Sequence, residues 1–112
     1  MKTINRTVVT VSPKQPYIDW ANSFEANGAQ IDPSETHTTA FLLSDDYNEL
    51  NYENFIEIEY AKIFDLELES WMASPKHWPK NRSYKLFKEW FEVRVADTVF
   101  DLGIDKIEHE EY

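Results

Sequence analysis

The spacing of hydrophobic and polar positions changes several times along the chain, and each change predicts an element. Residues 3–11, TINRTVVTV, are rich in Thr and Val. β-Branched side chains suit a pleated surface, so this run predicts the first strand. Ser12, Pro13 and Gln15 then read as a helix entry, with Ser12 as cap and Pro13 at the first helical position. Pro16 disfavours helix at Gln15 and moves the start toward itself. Tyr17, Trp20, Ala21 and Phe24 follow at helical spacing, and Asn27-Gly28 predicts the end of that helix. Asp32-Pro33-Ser34 reads as a turn. Thr38 to Leu43 is a short apolar run and the second predicted strand, closed by Ser44-Asp45-Asp46.

Two periods compete from Glu49 to Met72. Ile56, Ile58 and Tyr60 alternate as in a strand, and so do Phe64, Leu66 and Leu68. Tyr52, Ile56, Tyr60, Ile63, Phe64, Leu68 and Trp71 also fit one broad helical face. No Gly or Pro interrupts the segment, Glu, Leu, Ala and Lys dominate it, and a strand of that length is rare. A long helix is therefore predicted, with Ile58 and Leu66 left off its main face. Ser74-Pro75 and Trp78-Pro79 bracket a loop. Ser83 caps a short helix carrying Leu86, Phe87, Trp90 and Phe91, and Glu92 to Leu102 is the third strand. The order βαβααβ predicts an α+β domain of two layers over residues 1–102, with a three-stranded sheet and the helices packed mainly on one face. Residues 103–112 read as an acidic C-terminal tail that frays.

Composition narrows the class. The 112 residues are 42% apolar and 15% aromatic, which fits one folded domain and excludes a natively unfolded acidic chain. There is no cysteine, so disulfides and thiolate chemistry are excluded. Only Gly28 and Gly103 are present, too few for a glycine-rich phosphate loop. MKTINRTVVTV lacks the apolar stretch of a signal peptide, and no segment is long and apolar enough to span a membrane. A soluble cytosolic protein is expected.

The formal charge is -10, which argues against binding nucleic acid or an anionic membrane through bulk charge. The charge is also segregated. Residues 41–72 carry nine acids and one base, whereas residues 73–94 carry six bases and two acids. Lys76, Lys80, Arg82, Lys85, Lys88 and Arg94 thus form a basic island. One reading makes it an internal complement to the acidic helix, with exposed pairs contributing about 0–1 kcal/mol each. Another makes it a small-anion or nucleotide site formed by Trp78, Lys80, Arg82 and Tyr84, since Arg forks grip anions and aromatics stack on bases. Glu53, Glu57, Asp65, Glu67 and Glu69 read as a solvated helix face. Their alternative is an acidic surface for a protein partner, with Glu57, Asp65, Ile58 and Leu66 as its candidate contacts.

Catalytic patterns are sparse. Twenty-one acids make some carboxylate pair inevitable, so a pair carries little information. His37, His77 and His109 stand apart, without metal-ligand spacing, and no GxSxG turn occurs. No catalytic residue, metal ligand or cofactor is assigned. Trp20, Trp71 and Trp90 are expected in the core, because a small domain needs large apolar surfaces. Trp78, between His77 and Pro79, is placed either as a plug on that core or as an exposed anchor.

Three motifs carry a resemblance: PKxPxxxW at Pro13–Trp20, WPxxR at Trp78–Arg82 and FxxWF at Phe87–Phe91. Together with Ile63-Phe64, Leu68, Trp71 and Asp101-Leu102 they resemble a family of small bacterial proteins of unknown function. The resemblance implies a bacterial, cytosolic, single-domain protein and transfers no activity or residue role. The expected function is a non-enzymatic binding or accessory module with an acidic surface. The alternative is an anion or nucleotide binder, enzymatic or not, at residues 76–88. A homodimer through Ile58, Leu66 or a free sheet edge is compatible with both.

Overall fold

The computed structural model describes residues 1–24 and 37–112. The predicted features at Asn27-Gly28 and Asp32-Pro33-Ser34 lie outside the described residues. In chain order the elements are β1 (Lys2–Thr3), β2 (Arg6–Pro13), α1 (Gln15–Asn22), β3 (Thr39–Ser44), α2 (Tyr52–Glu69), a 3-10 turn (Pro75–His77), α3 (Tyr84–Trp90), β4 (Phe91–Ala96) and β5 (Phe100–Asp101). The main sheet is antiparallel in the order β3-β2-β4, and β1 pairs with β5 in a separate ribbon. The fold is α+β, with helices packed on a three-stranded sheet.

Alternation along the strands decides which face the helices cover. Thr7, Val9 and Val11 of β2 are buried, and so are Leu43 of β3 and Phe91 of β4. Ala40, Leu42, Glu92, Arg94 and Ala96 point the other way and are exposed. Ile56, Ile63, Phe64 and Leu68 of α2 close the inner face. Phe64 sits at the centre, with ring centroids of Phe87, Trp90 and Phe91 at 5.8, 5.7 and 5.4 Å. Full burial of one such side chain is worth about 1.5–3 kcal/mol. The tryptophans pack around this core, and the indole N–H groups of Trp20 and Trp71 fasten connecting segments to it. Trp20 Nε1 donates to the His77 carbonyl at 3.0 Å, and Trp71 Nε1 to the Ala21 carbonyl at 2.9 Å.

Two helix ends differ from expectation. Ser12 is not a helix cap; it stays in the ladder opposite Glu92, and its hydroxyl meets the Thr38 hydroxyl at 2.9 Å. The helix starts at Gln15 with Lys14 in the cap position and Pro16 in the first turn, where a missing N–H is harmless. It also stops at Asn22, short of Asn27-Gly28. There the Ser23 N–H and hydroxyl both turn back to the Trp20 carbonyl, and Trp71 takes the next carbonyl, satisfying the helix end early. The cap at Ser83 is present, with its Oγ accepting from the Leu86 N–H at 3.1 Å.

The predicted first and third strands are each broken in two. Thr3 pairs with Phe100 and Val8 with Ala96. The N-terminal side therefore takes five steps where its partner takes four. One surplus residue interrupts an antiparallel ladder and bends it, as in a bulge. Beyond the break the ribbon resumes, helped by the Ile4 N–H donating to the Val99 carbonyl at 3.0 Å. Residues 103–112 are exposed and carry no helix or strand.

Candidate functional site

The basic segment folds back on its own molecule. Trp78 is half-buried against the core and donates its indole N–H to the Met72 carbonyl at 2.7 Å, so it plugs the interior. Arg82 lies with its guanidinium carbon 5.5 Å from the centroid of the Trp78 ring. The same fork donates to the Pro79 carbonyl at 2.8 Å and pairs with Asp65 of α2 at 3.3 Å. Lys80 is exposed. Tyr84 stacks near Tyr60, at 5.2 Å between centroids, with the Lys88 ammonium 4.5 Å from its own. Burial pushes the Tyr84 phenol above its ordinary pKa, and the carboxylates of Glu53 and Glu57 push it further. The structure thus brings Trp78 and Arg82 together around a carboxylate, while Tyr84 lines a separate cleft.

That cleft, about 340 Å³, opens between α2, α3 and β4. Lys14, Lys88, Glu53 and Glu92 surround it, above a floor of Ile56 and Phe91. Lys14 Nζ donates to the Lys88 carbonyl at 3.0 Å, which commits one of the two ammonium groups to the scaffold. Opposite charges in equal number give the cleft no preferred sign of ligand. Its residues come from four stretches of sequence, so no local motif announces it.

A second groove, about 330 Å³, lies on the other flank of α2, against β3. Phe41, Phe55, Ile63 and Leu66 form its walls, with Glu59 and Lys62 on the rim. Those two pair with each other at 3.5 Å. Phe55, Glu59, Lys62 and Leu66 share one helical stripe because they stand at i, i+4, i+7 and i+11. β3 is an outer strand of the sheet, and its sequence TAFLLS contains neither a charge nor a proline. Both pocket walls are legible as apolar residues in the sequence, but only the fold shows that they face one another.

The four candidate partner contacts do not form one patch. Leu66 lines the groove. Ile58 is 72% exposed and stands on the solvent side of α2. Asp65 is taken by Arg82, and Glu57 lies toward Tyr84. Glu67, expected on the solvated face, is instead buried at 7% exposure. It continues the inward row of Ile56, Tyr60 and Ile63, which fixes its direction. Its Oε1 has no hydrogen-bond partner among the described residues. Burial raises its carboxyl pKa, and a hydrogen bond from Thr39 opposes the rise. The Tyr17 and Ser70 hydroxyls donate to its backbone carbonyl at 2.8 and 2.7 Å.

Among the described residues, no group of three or more His, Asp or Glu side chains is placed to hold a metal ion. No helix among them is long and apolar enough to cross a membrane. Comparison of the chain with family models, curated proteins and solved structures returned no match.

Proposed function

We propose that the chain is a small cytosolic, non-enzymatic binding module that engages another protein through the β3–α2 groove. The observation that carries this reading is the apolar groove of Phe41, Phe55, Ile63 and Leu66, set beside an uncharged edge strand. A concave apolar surface with a few charged groups at its mouth can receive a partner's side chains. The surrounding segment 41–72 has nine acids and one base, which selects a basic partner and speeds its approach. Arg82 supports the same choice, since its guanidinium is held inside the molecule by Asp65 and the Pro79 carbonyl.

A photo-crosslinking side chain in place of Leu66 tests the proposal in living host cells. Discrete adducts are expected at that position, suppressed by Phe41→Asp and absent when the same group replaces Arg94 on the opposite sheet face. Equal adducts from both positions, or none from Leu66, overturn it.

A further inference from the structure

We propose that β3 accepts an extended basic and apolar segment of a partner protein as a fourth strand, whose apolar side chains enter the α2 groove. This inference rests on the binding-module reading and specifies its mode.

The two sheet edges are unlike each other. β4 carries Glu92 and Arg94, joined at 3.0 Å, and charge on an edge strand discourages pairing with another chain. β3 has no such device along its six residues. Its outer side faces no strand among the described residues. The groove lies where an added strand would project its side chains. Neighbouring strands are spaced about 4.8 Å apart, and every second side chain points to the same face. A strand laid along β3 therefore sends alternate residues toward Phe41, Phe55 and Leu66, and the others toward exposed Ala40 and Leu42. Main-chain bonds supply affinity in such strand addition, and the groove supplies specificity.

Charge decides the occupant. Glu59 on the rim is balanced by Lys62, but Asp45 and Asp46 follow β3 directly and Glu69 lies one helical turn beyond Leu66, so the surplus is acidic. A second copy would bring two -10 chains together with their most acidic segments in contact. The chain's own tail carries Asp105, Glu108, Glu110 and Glu111 against Lys106, so it is repelled as well. A segment with apolar residues at alternate positions toward the groove, and with Lys or Arg at its ends beside Asp45 and Asp46, satisfies the groove and the acids together.

The test uses the full chain and a short synthetic peptide that alternates valine with threonine between lysine ends, long enough to span Thr39–Ser44. Two twins of that peptide carry N-methyl groups on every second amide, one in each register. NMR follows the Leu66 methyl groups, and hydrogen exchange follows the β3 amides. The expected result is a shift at Leu66, slowed exchange at alternate β3 amides, and loss of both with one methylated twin. If all three peptides shift Leu66 equally and leave β3 exchange unchanged, strand addition is overturned while groove binding stands. If none moves Leu66, both readings fall. If the β3 amides are already protected in a dimer seen by sedimentation without peptide, a second copy is the occupant and the inference fails.

Discussion

Glu67 is the residue at which the fold pays most visibly for its geometry. A buried carboxylate with one oxygen unpartnered among the described residues resists ionisation, so its folded pKa lies above the ordinary value of 4.5. The folded state then holds the proton more tightly than the unfolded chain. Its contribution to stability is most favourable below that ordinary value and is lost as pH rises through the folded pKa. Glu67→Gln removes the charge while keeping the shape. The variant is expected to unfold at higher urea than the native chain at pH 7, with the gap closing as pH falls toward 4.5. Urea midpoints across that range check it; a variant less stable at neutral pH, by a margin independent of pH, contradicts it. Nothing in the local sequence separates Glu67 from Glu53 or Glu69. Only the row beginning at Ile56 reveals its direction, and the surplus of acids on α2 conceals that row.

Ser83 shows the opposite case at the scale of the element, since its role is legible from three adjacent facts: a preceding loop, a hydroxyl, and a helical apolar pattern behind it. Ser83→Ala is expected to lower stability by about 1 kcal/mol by stripping the Leu86 N–H of its acceptor. Chemical denaturation measures this directly, and restoration by Ser83→Asp would assign the loss to capping. The long helix and the central strands were readable for a similar reason, because burial repeats along them at a constant period. Three features were not. The Ser12 hydroxyl has a cross-strand partner, Thr38, that no local rule supplies. The end of α1 depends on Trp71, fifty positions away along the chain. The break between β1 and β2 depends on a count of residues in two strands at once. The candidate groove belongs with these, since its walls come from β3 and α2 and the sequence assigns Leu66 a face without naming what stands opposite.

Across the whole molecule acids outnumber bases by ten, and the basic island offsets only part of α2, through Arg82 and Asp65. Self-association is therefore opposed at neutral pH and low salt, where repulsion between -10 chains is least screened. Sedimentation is expected to show one copy under those conditions; a stable dimer there would contradict the charge argument. The β1–β5 ribbon has a separate topological consequence. Lys2 stands opposite Asp101, and residues paired across an antiparallel ladder lie about 5 Å apart. The backbone between these two positions is thus nearly a closed ring, so a short linker joining them, in place of the residues outside it, completes the circuit without moving any element. Fresh ends can then be cut in the exposed turn around Leu50, which turns the order of synthesis into an adjustable property of the same architecture.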